Sequence, residues 1–355
     1  MKCLLSQYTP IDTTYTIERF LGGGTFGEVY LARHKFLGMQ ALKVFRPGVV
    51  PPEQEGDLFN EAFVLSKITH QNVVRIYNTN TFACQGQTLA YIAMEYISGE
   101  TLRQHVQKAG GLTPEDAIRL QLHICDGLAQ AHTLTPPVVH RDVKPENILV
   151  RGSGKEALAK VADFGLARHV NSTTRLIKAA GTLAYMAPEG FWGYESPASD
   201  VFSAGVIFYW LLTGREPFTT PGGYDLSSKE GVRSAVLLSR RTPPIPPSKI
   251  EGVRLDERVD GLISKALSFE AQQRYPDALE FGKAIRVLQQ GVALGNGEAR
   301  TASAEALVFE AMALSKQYAT LQQAADALEI AIRVDPSLDQ RYRPYVLRWR
   351  NGLML

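Results

Sequence analysis

Residues 140–147 read His-Arg-Asp-Val-Lys-Pro-Glu-Asn, and Asp163-Phe164-Gly165 follows downstream. These two strings constrain the chain more than anything else in it. The first places an acid (Asp142), a cation (Lys144) and an amide (Asn147) in one short loop. The second adds a carboxylate able to hold a metal, just before a glycine that lets the chain turn. An acid that orients a hydroxyl, a cation and oxygen ligands for Mg²⁺ are the groups that moving a phosphoryl group requires. Either string alone arises by accident; their order and spacing together carry the reading.

Other segments supply what such chemistry lacks so far. Gly22-Gly23-Gly24-Thr25-Phe26-Gly27-Glu28-Val29 fits G-x-G-x-x-G-x-V and lies between strand-like runs at 15–21 and 28–33. The context is strand–turn–strand, without the following helix of a dinucleotide site. Glycines there let backbone N–H groups approach phosphates unobstructed. Ala41-Leu42-Lys43-Val44 offers a lysine on a strand, and Glu61 sits in a run, Phe59 to Ile68, with helical spacing. Glu53 and Glu55 are weaker partners for that lysine, because they fall in a Pro-rich approach before the helix. Tyr91 to Ile97 reads as a buried strand; Ala187-Pro188-Glu189, Asp200 to Val206 and Arg274 follow. In this order and at this spacing the motifs resemble the protein kinase family, in particular its bacterial-type, eukaryotic-like Ser/Thr members, over roughly residues 12–290.

The resemblance implies an α+β, bilobal fold: a small β-rich lobe with one key helix (12–97) and a larger, mostly helical lobe (98–290). It implies ATP and Mg²⁺, with Mn²⁺ as an alternative ion. Asp142 would take the substrate hydroxyl's proton, Lys144 would stabilise the moving phosphate, and Thr182 would complete their contact. Asn147 and Asp163 would hold the metal. Lys43, paired with Glu61, would fix the α- and β-phosphates. Leu21, Gly22, Gly23, Gly24, Thr25, Phe26, Gly27 and Val29 would cover the nucleotide. Ala41, the gatekeeper Met94, Glu95, Ile97 and Leu149 would frame the adenine, with backbone groups of Glu95 and Ile97 bonding to it. Arg274 would pair with Glu189. His140 is structural in this family, stacking on Phe164 in an apolar spine with Leu65 and Ile76, anchored by Asp200. Lysine two residues after the acid is the family's Ser/Thr pattern. Arg141 before Asp142 points to control by a phosphorylated loop, with Thr174, Thr173 and Ser172 as acceptors; the alternative is that these are solvated hydroxyls.

Composition excludes more than it specifies. The 355 residues are 45% hydrophobic, enough to bury large cores in more than one unit. Lys plus Arg number 38 against 36 Asp plus Glu, a net charge of +2, so bulk electrostatics offers nothing to nucleic acid. Three cysteines without metal or redox spacing suit a reducing cytoplasm. No apolar run reaches the ~20 residues of a membrane span, so the chain reads as soluble.

Residues 291–300 read as a linker. Beyond it, 301–355 form a helical extension, in which Ala324, Leu328, Ala331 and Pro336 sit at the offsets of the second half of a tetratricopeptide repeat. One repeat cannot bury its own faces. Tyr342, Tyr345, Val346, Trp349 and Leu353 then recur at helical spacing, either as a helix packing on the repeat or as a partner-binding helix; the packing role is favoured, since such stripes are usually core. Expected partners are Ser/Thr-bearing proteins, with a protein on the tail and a homodimer as further options. Two other function classes stay open: a pseudokinase scaffold, against which every catalytic position is filled, and a small-molecule kinase, which would normally lack the Ala187-Pro188-Glu189 segment.

Overall fold

Alternating burial at the start of Tyr15–Gly23 and continuous burial at the end of Gly38–Phe45 are what an outer and an inner strand of one sheet demand. In the computed structural model, β1 (Pro10–Ile11), β2 (Tyr15–Gly23), β3 (Gly27–His34), β4 (Gly38–Phe45), β5 (Ile76–Cys84) and β6 (Gln87–Glu95) form an antiparallel six-stranded sheet, ordered β1-β2-β3-β4-β6-β5. The structure describes all residues except 1–3, 25–26, 50–51, 85, 165–182, 219–227, 254, 294–296, 316–319, 335–337 and 354–355. Two compact units result, Met1–Lys283 and Ala284–Leu355.

Register decides what each face of the sheet carries. Val29, Lys43 and Ile92 lie in one row across β3, β4 and β6, and Leu31, Ala41 and Met94 in another. Side chains alternate along a strand, so these residues share one face. The other face carries Tyr30, Ala32, Leu42, Val44, Tyr91 and Ala93, packed with Leu5 and Ile11 in a separate core. Helix α1 (Pro52–Ser66) covers the first face through Leu58 and Ala62. It begins earlier than its apolar spacing predicts. Proline fits the first helical turn, where its missing N–H costs nothing, so Glu53 and Glu55 fall inside the helix rather than before it.

The rest of the first unit is mostly helical. Helix α2 (Leu102–Ala109) is capped by Thr101, whose side chain accepts the Gln104 N–H while Gln104 Oε1 accepts the Thr101 N–H. Helix α3 (Pro114–His132) has Thr113 as cap and proline in its first turn. A three-stranded sheet of β7 (Glu100–Thr101), β8 (Ile148–Arg151) and β9 (Leu158–Val161) lies beside them. Gly127 of α3 packs so closely that a Cβ would stand 2.4 Å from the Asn72 carbonyl oxygen. Helix α4 (Pro197–Thr213) is buried from Ala198 to Leu212, the fate of a helix that is apolar all round. Helices α5 (Lys229–Arg241) and α6 (Arg258–Ala266) follow, and α7 (Ala278–Ala293) runs across the boundary between the two units.

The second unit contains α8 (Gly297–Leu314), α9 (Leu321–Val334) and α10 (Asp339–Arg350). Ala311, Ala324, Leu328, Ile332, Val346 and Trp349 form its core, and Leu328, Ala331 and Trp349 are fully buried. Tyr342, Tyr345, Val346 and Trp349 of the expected stripe therefore pack against the helical pair, whereas Leu353 lies beyond α10 and is exposed. The expected linker is largely helical: residues 291–293 end α7 and 297–300 begin α8. Small residues permit turns, but alanine also has the highest helix propensity. Among the described residues, no helix is long and apolar enough to cross a membrane.

Candidate active site

The inner face of the large sheet meets the three-stranded sheet at an apolar slot. Leu21, Val29, Ala41, Met94, Ile97 and Leu149 belong to one cluster there, so strands distant in sequence bring together the residues proposed to frame a base. The Glu95 side chain turns away from this slot to Lys160 Nζ at 2.8 Å. Its N–H is committed to the Arg75 carbonyl at 2.8 Å, so what Glu95 offers a ligand is its own carbonyl. Above the slot, the Gly24 N–H closes the glycine-rich turn onto the Gly27 carbonyl at 2.9 Å. A Cβ on Gly27 would lie 2.3 Å from the Val44 carbonyl oxygen, whereas Gly22 and Gly24 face open space. Thr25 and Phe26 lie outside the described residues.

The loop read first in the sequence becomes a tight turn. Residues Pro145–Asn147 form a single 3₁₀ turn leading into β8. Lys144 Nζ donates to both Asp142 oxygens, at 3.0 and 2.8 Å. Asn147 Nδ2 donates to the Asp142 carbonyl at 2.8 Å and to Asp142 Oδ2 at 3.0 Å. The carboxylate is thus aimed by two neighbours within five residues of it in sequence.

Asp200 holds this turn from below. Its carboxylate accepts the backbone N–H groups of His140 (2.7 Å) and Arg141 (2.9 Å) and the His132 ring at 2.9 Å. Burial pushes the Asp200 carboxyl up, but the bond from His132 and the charges of His132 and His140 outweigh it, leaving a net downward shift. His132 belongs to none of the motifs read from the sequence. It lies on α3 with Nδ1 accepting the Ala278 N–H at 3.2 Å, which fixes Nε2 as the donor to Asp200. Only its position one helix before the loop hints at this. His140 Nε2 is 2.8 Å from the Ala162 carbonyl oxygen, and its ring lies 4.7 Å from that of Phe164. Leu65, Ile76 and Phe164 line one cavity beside Met94, so the spine residues do come together.

The lysine differs from expectation. Lys43 Nζ pairs with Asp163 Oδ2 at 2.7 Å, while Glu61 Oε1 faces Arg141 Nη1 at 3.8 Å. Two acids lie near one ammonium; the closer pairing goes to Asp163, and Glu61 faces the Arg141 guanidinium instead. Burial pushes the Asp163 carboxyl up; the Lys43 charge and hydrogen bond, then His140 and Lys144, pull it below the usual range. Asp163 holds a left-handed backbone, φ 62°, a conformation that lets a non-glycine residue re-aim its side chain at some cost. The Asp163 carboxylate and the Asn147 amide oxygen are hard oxygen donors of the kind Mg²⁺ takes. Thr182, Ser172, Thr173 and Thr174 lie outside the described residues.

Glu189 and Arg274 form a bidentate pair at 2.6 and 2.8 Å, with Ser199 Oγ donating to Glu189 at 2.6 Å. Arg274 also donates to the carbonyls of Ser268, Phe269 and Ala198. Burial raises the Glu189 carboxyl, but Arg274 and Ser199 bring it below its ordinary value. Removing one partner of such a buried pair strands the other, so Arg274→Met is expected to cost about 3 kcal/mol of stability in chemical denaturation. The pH sense follows from the depressed folded-state values of Glu189, Asp200 and Asp163. Their contribution is complete above the ordinary carboxylate range and is lost as pH falls through the lower folded-state values. Arg274→Met should therefore flatten the acid limb of the stability curve; an unchanged limb would assign acid unfolding to other groups.

Residues 15–281 match the protein kinase domain family. The serine/threonine-protein kinase PkaA of Streptomyces coelicolor is 32% identical over 312 residues, covering 83% of this chain and 54% of that protein. PknB of Mycobacterium tuberculosis, also a serine/threonine-protein kinase, is 34% identical over 278 residues, covering 76% and 42%. The chain thus spans about half or less of the length of these relatives. The crystal structure of the Mycobacterium tuberculosis PknI kinase domain matches with a TM-score of 0.60 at 25% identity, over 80% of this chain and 99% of that one. The fold, the slot and the family match agree: the chain belongs to the protein kinase family.

Proposed function

We propose that the chain is a Ser/Thr protein kinase, transferring the γ-phosphoryl group of ATP to protein hydroxyls. The observation that carries this is the interlock at Asp142, with Lys144 on both its oxygens and the Asn147 amide on its carbonyl and Oδ2. An acid that only capped a turn would not need a cation and an amide both fixed on it.

In this reading the adenine enters the slot under Val29 and Ala41, with Leu149 below, against the backbone of Glu95 and Ile97. Asp163 and Asn147 would hold Mg²⁺, which neutralises phosphate charge when bound. Lys43 positions the α- and β-phosphates, and Thr182 steadies Asp142 and Lys144. The substrate oxygen attacks the γ-phosphorus, the bond to the β–γ bridging oxygen breaks, and ADP leaves. Asp142 orients the hydroxyl and takes its proton late, while Lys144 offsets charge on the phosphoryl group. Catalysis is mostly positioning and electrostatics. Lysine at 144 and the names of the relatives favour Ser/Thr over Tyr. The domain bounds that go with this are 12–290 for the kinase and 301–355 for the tetratricopeptide-like extension.

The arrangement of Glu61 and Arg141 bears on regulation. A phosphate on Thr174, Thr173 or Ser172 would add roughly −1.5 to −2 charge and compete with Glu61 for the Arg141 guanidinium. Glu61 would then be released toward Lys43. Mass spectrometry of the wild type and Asp142→Asn tests this: phosphate on Thr174 or Thr173 in the first and none in the second is expected. An unmodified loop in fully active enzyme would exclude this form of control. The reading as a whole is tested by incubating the chain with labelled ATP, Mg²⁺ and myelin basic protein. Label on serine and threonine supports it; label only on a small-molecule acceptor, or none, would remove it.

A further inference from the structure

Arg240 is a buried cation that the mechanism above does not use. It lies on α5, 5% exposed, with no carboxylate in hydrogen-bond contact among the described residues. Burial pushes its guanidinium down to about 10, with Glu216 opposing, so it stays charged at neutral pH. Its Nη2 donates to two successive carbonyls, Leu183 at 3.0 Å and Ala184 at 2.8 Å, and its Nη1 to Ser239 Oγ at 3.3 Å. The plane rests on Phe218, 4.2 Å from the ring centre, with Phe202 at 5.9 Å. A buried charge held by carbonyls and ring faces costs desolvation, which suits a position where it fixes backbone.

The backbone it fixes is joined to the catalytic turn. The Tyr185 carbonyl accepts from Ser203 Oγ at 2.7 Å, and the Tyr185 hydroxyl accepts from Arg103 Nη2 at 2.8 Å. Arg103 Nε donates to Glu146, within the same 3₁₀ turn as Asn147. Leu183, Tyr185 and Ala187 are buried, while Ala184 and Met186 between them are half-buried. The segment therefore has one face anchored to the large lobe and a more open face, a single side chain away from the turn that carries Asp142.

We propose that Arg240 is a positioning residue for the protein substrate: by clamping the carbonyls of Leu183 and Ala184, it holds the 183–187 ledge in register with the catalytic turn, so that a polypeptide lying on the ledge presents its hydroxyl to Asp142. This rests on the kinase reading. Two successive carbonyls bonded by one guanidinium nitrogen define both the height and the orientation of the ledge. The aromatic face beneath stops the guanidinium from rotating. A lysine reaches the same place with a point charge and without the planar fork.

The test is steady-state kinetics of the full chain with myelin basic protein as acceptor, alongside thermal unfolding of each variant. Arg240→Met is expected to raise KM for the protein acceptor about tenfold, while KM for ATP stays within about twofold, since the ledge touches substrate rather than nucleotide. Arg240→Lys should recover part of the loss, and it decides the matter if Arg240→Met does not fold. A folded variant with unchanged acceptor KM would overturn the proposal. So would an apparent kcat that falls in step with the folded fraction while both KM values stay unchanged, because Arg240 would then be core alone. A wild-type chain that transfers nothing to protein would instead bring down the kinase reading, and this proposal with it.

Discussion

Asp142→Asn is expected to lower phosphoryl transfer by about 10²- to 10⁴-fold, the range lost with a positioned general base. The substitution keeps the shape of the side chain. It removes the charge that Lys144 Nζ approaches at 2.8 and 3.0 Å, and it leaves an amide where the substrate proton must go. Nucleotide affinity should stay nearly intact, because the slot formed by Val29, Ala41, Met94 and Leu149 does not include Asp142. Fluorescent-nucleotide titration and radiolabel transfer on the same preparation separate the two quantities. Wild-type turnover in this variant would sink the assigned mechanism.

Lys43→Met should cost about 10²- to 10³-fold in kcat, the scale of losing one preorganised electrostatic contact. A second consequence comes from the pairing with Asp163. Lys43 supplies the largest charge opposing the burial of that carboxylate. Without it the Asp163 carboxyl moves upward, so its protonation sets in at higher pH than in the wild type. Residual activity should therefore fall off earlier on acidification. Glu61→Gln should have a smaller effect, because Glu61 contacts Arg141 rather than Lys43 in this arrangement. If Glu61→Gln and Lys43→Met proved equal and identical in pH profile, the two residues would be acting as one unit in the working enzyme. The separate pairing would then belong only to the resting form.

Much of the fold and of the candidate site was legible because the chemistry is local. Asp142, Lys144 and Asn147 lie within one turn, so their bonds depend on little beyond the loop itself. The glycine-rich turn is similar: Gly27 is required by the Val44 carbonyl across a single strand pair. The burial of α4 was likewise written in its unbroken apolar run. Proline was misleading at the start of α1, where the helix takes it as a first-turn residue.

By itself the sequence determined which groups the protein owns and which of them share a loop, since chain connectivity holds neighbours within reach of one another. Tertiary structure decided which distant groups pair. Asp163 rather than Glu61 holds Lys43, because the fold sets the Asp163 carboxylate 2.7 Å from the ammonium and gives Glu61 to Arg141. His132 supports the catalytic turn through Asp200, and Arg240 reaches the carbonyls of Leu183 and Ala184, because α3, α4 and α5 pack where no local pattern records it. Those contacts depend on the balance of desolvation against charge and hydrogen bonding, and that balance exists only once the interior has closed.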